Sequence, residues 1–136
     1  MVKTVMVSGG YDPVHIGHIR QFKAASRHGN VLVALCSDEW LIRKKGYVFM
    51  TYDERREILE GIRYVWKVVP QIGEGDTAVD SLECYKPDIF AKGGDRGPGN
   101  MPEEELDVCK KLGIVVLYGV GGSKVQSSSS LVKKIV

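Results

Sequence analysis

A chain of 136 residues is the size of one ordinary domain, enough for a packed core and too short for a second folded unit. Its 19 basic and 17 acidic residues are interspersed, which excludes a basic stripe or tail for nucleic acid and argues against a membrane surface as the main partner. Three scattered cysteines, Cys36, Cys84 and Cys109, form no Cys-x-x-Cys pair; they argue against a disulfide or zinc framework and suit reduced thiols.

No apolar run approaches the roughly 20 residues of a membrane span, and the N-terminus leads straight into a strand pattern with no signal peptide. The expectation is a soluble, cytoplasmic protein. Val2 to Val7 is apolar and β-branched and predicts a buried strand. Ser8-Gly9-Gly10-Tyr11-Asp12-Pro13-Val14-His15-Ile16-Gly17-His18 follows, where that strand passes into a helix. In open α/β sheets this junction faces ligands.

Gly9 and Gly10 let the backbone approach a bulky anion, and free N–H groups at the start of the helix favour negative charge, so phosphate is the expected guest. Pro13 fixes the turn, and His15 and His18, three apart around Gly17, can point at one ligand from the first helical turn. Two imidazoles on one phosphate suggest phosphoryl or nucleotidyl transfer. Against this stand a helix cap plus a polar residue at a core edge, and a zinc pair. The zinc reading lacks a third ligand nearby and has the wrong spacing.

Ile19 to Ser26 continues the helix, Gly29-Asn30 ends it, and Val31 to Cys36 is an unbroken apolar run typical of a central parallel strand. Ser37-Asp38 lies at the exit of that strand, and Arg43-Lys44-Lys45-Gly46 reads as a basic cluster on a mobile segment. Thr51-Tyr52-Asp53-Glu54 is a capping box opening a helix with Arg55, Ile58, Leu59 and Ile62 on its inward stripe. Tyr64 to Pro70 is the third strand, Ala78 to Tyr85 a short helix, and Pro87 to Ala91 a fourth strand that delivers Lys92-Gly93-Gly94-Asp95. Pro102 to Gly113 predicts a helix with acids at its positive end, and Ile114 to Tyr118 a fifth strand. Ser127 to Ser130 would be a linker by composition. Leu131, Val132, Ile135 and Val136 restore helical spacing, so the serines are expected to cap a terminal helix whose N-terminus faces the same edge as the histidines and holds a second phosphate. The expected fold is α/β: a Rossmann-like, doubly wound, five-stranded parallel sheet in one domain, residues 1–136.

Gly10 to His18 resembles the signature of the cytidylyltransferase-like nucleotidyltransferases, marked by His-x-Gly-His after the first strand, and the similarity covers nearly the whole chain. The resemblance implies an enzyme in which a phosphorylated sugar or alcohol attacks the α-phosphorus of CTP or ATP and releases pyrophosphate. It implies that His15, His18 and Lys45 are catalytic, and that Arg43, Arg55 and Asp38 bind substrate. Arg55 has an alternative as an ion-pair partner on the helix surface. Nucleotide binding is implied for Gly9, Gly10, Tyr11, Asp12, Lys92, Gly93, Gly94, Asp95, Gln126, Ser127, Ser128 and Ser129. Mg²⁺ is expected on the triphosphate oxygens with few protein carboxylates, Asp12 assisting through water, and relatives are often homodimers.

Lys92-Gly93-Gly94-Asp95 and the serine ending resemble the sugar-phosphate branch, notably the heptose enzymes, more than the glycerol-phosphate branch. That second branch carries an arginine shortly before its serine/threonine motif, where this chain has Gly121-Gly122 and only Lys124 close by, a point charge and not a planar fork, and Trp66 stands where the family more often has an acid. The rival from another class is a noncatalytic nucleotide-binding module. A hydride-transfer Rossmann protein would need Gly-x-Gly-x-x-Gly, which the first-strand turn lacks.

Overall fold

A computed structural model describes residues 2–93, 97, 99–122 and 128–135. Strands β1 (Thr4–Gly9), β2 (Asn30–Leu35), β3 (Val65–Pro70), β4 (Ile89–Ala91) and β5 (Val115–Leu117) form one parallel sheet in the order β3-β2-β1-β4-β5. Helices α1 (Ile16–Ser26), α2 (Asp38–Lys45), α3 (Tyr52–Glu60), α4 (Val79–Tyr85), α5 (Glu103–Leu112) and α6 (Ser128–Ile135) connect or follow the strands. The chain runs outward from β1 to β2 and β3, then returns to β4 on the other side, so the switch point lies between β1 and β4. This is the Rossmann-like α/β architecture, and its crevice at the carboxyl ends of β1 and β4 is where such sheets take ligands.

Alternation along the strands divides the core in two. Val5, Val7, Val31, Val33, Leu35, Ile89 and Ala91 face Phe22 and Ala25 of α1 and Leu59 of α3. Met6, Leu32, Ala34 and Phe90 face Leu82 of α4 and Cys109 of α5. With each fully buried aliphatic or aromatic side chain contributing roughly 1.5–3 kcal/mol, the central strands can be apolar throughout because both faces are covered.

Two local differences from the sequence expectation have physical causes. Arg43-Lys44-Lys45 is the last turn of a helix, not a loop: Ser37 accepts the Trp40 N–H at 3.1 Å, Asp38 and Glu39 occupy the positive end, and Gly46 closes the helix with φ 83°. Cations there complement the helix dipole. Ile58, expected inward, is exposed. On the β3 edge, Val31 pairs with Val65 and Leu32 with Lys67, so Trp66 is the extra residue of a bulge. Its ring stays half-exposed with the Lys67 ammonium 4.8 Å from the centroid. A bulge and a lysine on an edge strand both oppose pairing with another sheet.

Candidate functional site

The histidine loop leaves β1 at Gly9 and enters α1 through two reciprocal bonds. The His15 Nδ1 accepts the Gly17 N–H at 3.1 Å, and the His18 Nδ1 accepts the His15 N–H at 3.1 Å, a capping box made of imidazoles. The rings stack with centroids 3.8 Å apart. Nitrogens that accept amide protons are themselves unprotonated, so both rings are held in the neutral tautomer carrying hydrogen on Nε2. The helix-cap reading of the sequence is thus what the geometry shows, each ring closing the turn through its Nδ1. The expectation of free amides at the helix start holds less widely than the sequence suggests. The first-turn amides of Gly17 and His18 are already bonded, to the His15 ring and the His15 carbonyl, so they are not free for an anion.

Tyr11 and Asp12 serve this loop from beneath. Tyr11 sits at φ 50°, buried, with its ring edge-on to His18 at 4.8 Å and against Phe22 at 5.5 Å. The ring fills the space where a Cβ of Gly9 would come within 3.2 Å of it, and a Cβ on Gly10 would lie 2.9 Å from Leu41 of α2. The two glycines thus make room for the Tyr11 ring and the Leu41 side chain. The Tyr11 hydroxyl is buried without a partner, and burial raises its pKa far above the usual phenol range. Asp12 is fully buried and its two oxygens accept the Phe49 and Met50 N–H groups at 2.7 and 2.6 Å. The carboxylate expected to assist a metal through water is a clamp that ties the segment before α3 to the histidine loop.

Arg55 is likewise not a surface residue. It is fully buried; its Nε donates to the Met50 carbonyl, Nη1 to the Gly10 and Cys36 carbonyls, and Nη2 to Asp38 at 2.7 Å. Four of its five N–H groups are spent on the protein. Arg55 and Asp38, both expected to bind substrate, instead join the exits of β1 and β2 to α3. Beside them, Cys36 is buried, which pushes its thiol up to about 12. Arg43 donates to the Glu74 carbonyl and Lys44 pairs with Asp76 at 3.2 Å, whereas Lys45, half-buried at the end of α2, makes neither contact.

On the other side of the switch point, Lys92 is engaged with the protein. Its ammonium lies over the Phe90 ring at 4.6 Å and 3.4 Å from Glu105 of α5, whose second oxygen accepts the Ala78 N–H at 2.8 Å. Glu105 is buried, so Lys92 would have to abandon a buried carboxylate to reach a phosphate, at a cost of about 3–5 kcal/mol. Gly93 continues from it at the crevice. The α6 helix does begin beside the histidines, because the Ser128 hydroxyl donates to the Pro13 carbonyl at 2.7 Å. Gly94, Asp95, Gln126 and Ser127 lie outside the described residues, and Ser129 falls within α6. Among the described residues no group of three or more His, Cys, Asp or Glu side chains could hold a metal ion, and no helix is long and apolar enough to cross a membrane.

Residues 6–135 match the model of the cytidylyltransferase-like family. The chain is 38% identical over 95 residues to glycerol-3-phosphate cytidylyltransferase of Staphylococcus aureus, covering 69% of this chain and 71% of that protein. It is 37% identical over 111 residues to FAD synthase of Pyrococcus abyssi, covering 79% and 68%. To the bifunctional protein HldE of Geobacter metallireducens it is 36% identical over 139 residues, 98% of this chain but 27% of that one. A solved structure, the lipopolysaccharide core biosynthesis protein of Thermoplasma volcanium, superposes with a TM-score of 0.72 at 26% identity over 93% of this chain and all of that one.

Proposed function

Because the chain belongs to the cytidylyltransferase-like family and is a nucleotidyltransferase by that membership, we propose that it transfers the nucleoside monophosphate of CTP or ATP to a phosphorylated sugar, releasing pyrophosphate. The observation that carries this is the pair of imidazoles at the switch point, each held by a backbone amide as an Nε2–H donor. The attacking phosphate oxygen is already anionic, so the reaction asks for positioning and for donors at the α-phosphate, where charge gathers on the oxygens. His15 and His18 supply those donors without needing to gain or lose a proton. Lys45 reaches the outer phosphates from the end of α2. Mg²⁺ would rest on phosphate oxygens and water, since Asp12 is sealed, and would neutralise triphosphate charge.

Preference for a sugar phosphate over glycerol 3-phosphate draws support from the segment after β5. Gly121 lies at φ 95°, and a Cβ there would be 2.7 Å from the Gln21 Cα, so no arginine can occupy that position; Gly122 is also left-handed at φ 83°. The cation that the glycerol-phosphate branch carries before its serine/threonine motif has no place at Gly121. The test is pyrophosphate release over the four nucleoside triphosphates, crossed with sugar phosphates, glycerol 3-phosphate and flavin mononucleotide. His18→Ala should lower turnover by at least a hundredfold while nucleotide affinity holds within a few fold. Unchanged turnover in that variant would remove the catalytic role, and a higher kcat/KM for glycerol 3-phosphate would reverse the acceptor assignment.

A further inference from the structure

We infer that Gln21, one turn beyond His18 on α1, recognises the nucleoside half of the triphosphate; this rests on the nucleotidyl-transfer reading and assigns a residue that the histidine motif does not contain. Two glycine exits converge on it. Gly121, after β5, packs its backbone directly on the helix, its ideal Cβ falling 2.7 Å from the Gln21 Cα and 2.8 Å from the Gln21 N. Gly93, after β4, has an open flank in which the nearest atom to its ideal Cβ is the Gln21 Nε2, at 3.9 Å. The carboxamide therefore stands beside the β4 exit, on the opposite side of β1 from the Arg55–Asp38 pair at the β2 exit.

Gln21 is half-buried, and its side chain enters none of the hydrogen bonds of the described residues. An unpaired carboxamide at a ligand crevice offers two N–H donors and a carbonyl acceptor side by side, without charge. That does not match a triphosphate, which calls for cations and N–H donors only. It matches a neutral group presenting a donor next to an acceptor: the amine and adjacent ring nitrogen of cytosine or adenine, or the two ribose hydroxyls. Nucleoside recognition thus separates from the phosphate chemistry of His15 and His18 along a single helix.

The test is calorimetric titration of the full chain with CTP and ATP, which needs no acceptor, and of tripolyphosphate as a probe without a nucleoside. Gln21→Leu keeps the bulk and removes both hydrogen-bonding functions; Gln21→Glu keeps an acceptor and removes the donors. Each should raise the nucleotide Kd about tenfold and leave the tripolyphosphate Kd within twofold. Loss in Gln21→Leu of the parent's preference for ribo- over 2′-deoxynucleotide would locate the contact at the ribose. Loss of its preference between CTP and ATP would locate it at the base. Nucleotide Kd values within twofold of the parent in both variants would overturn the inference, as would a tripolyphosphate Kd that moves in step. A parent that binds nucleotide through Gln21 yet releases no pyrophosphate with any acceptor would sink the transferase reading alone, and one that binds neither nucleotide would sink both.

Discussion

Replacing Arg55 by methionine preserves most of the buried volume and removes every polar contact the guanidinium makes. Three carbonyls, those of Met50, Gly10 and Cys36, lose their donor, and Asp38 loses its partner. Asp38 is 37% exposed and can rehydrate, so the ion pair itself accounts for the smaller share. The Cys36 carbonyl bond is buried, and an acceptor stranded there costs about 1–3 kcal/mol; with the two part-buried carbonyls partly relieved by water, the total comes to about 3–5 kcal/mol. Against the ~5–15 kcal/mol that holds a domain together, this is a large fraction. With a urea m-value of about 2 kcal/mol/M, the unfolding midpoint should fall by about 1.5–2.5 M. Arg55→Lys restores the charge beside Asp38 but not the fork over three carbonyls, and should recover less than half. The measurement is equilibrium urea unfolding alongside steady-state kinetics. A midpoint within 0.5 M of the parent, together with a raised KM for a phosphorylated substrate, would refute the structural role and return Arg55 to the substrate.

Tyr11→Phe removes a hydroxyl that is buried without a partner and should raise Tm by about 3 °C, with the ring's contact to His18 intact; a lower Tm by calorimetry would show that the hydroxyl is paired after all. Burial pushes the Cys36 thiol up to about 12 and the Cys109 thiol up to about 11, from an ordinary value of 9.0. The folded chain then keeps protons that the unfolded chain loses, so stability is full below about pH 9 and falls as pH rises through the folded values. Urea midpoints at pH 8 and pH 10 measure this slope, which a Cys36→Ala, Cys109→Ala double variant should flatten; an identical slope would dismiss the assignment. Lys92→Met should destabilise by about 3 kcal/mol by stranding Glu105, and adding Glu105→Gln should restore much of it while keeping an acceptor for Ala78. If the double variant regains stability but still binds nucleotide tenfold more weakly, Lys92 is a phosphate ligand as well as the partner of Glu105.

The parallel sheet was legible because its evidence is periodic. Unbroken runs such as Val31 to Cys36 have one economical fate, burial on both faces, and the glycines and prolines between runs mark where each ends. The α2 helix was equally written in the chain: Ser37 at the cap, acids in the first turn, bases in the last and Gly46 beyond. A short helix with little apolar periodicity nevertheless resembles a charged loop, and a cluster of cations reads as ligand contact as readily as it reads as helix chemistry.

The site was less legible, since a polar side chain's type states what it can bond to and not with whom. Asp12, Asp38 and Arg55 are all residues that phosphate or metal chemistry would use, and in the fold they are consumed by one another's neighbourhoods: Asp12 by the Phe49 and Met50 amides, Arg55 by Asp38 and three carbonyls. Apart from the Met50 carbonyl, five positions before Arg55, those partners lie 17 to 45 positions away along the chain, beyond any local pattern. The histidines were legible because their partners are local; a cap closes within three residues, and spacing alone could reveal it. The same locality separates their roles in function. In the proposed reaction, imidazoles fixed by their own helix turn would need no reorganisation as charge builds on the α-phosphate. Buried Arg55 and Asp12 hold the histidine loop in place from either side: Arg55 reaches from α3 to the Gly10 carbonyl, and Asp12, within the loop, takes the Phe49 and Met50 amides.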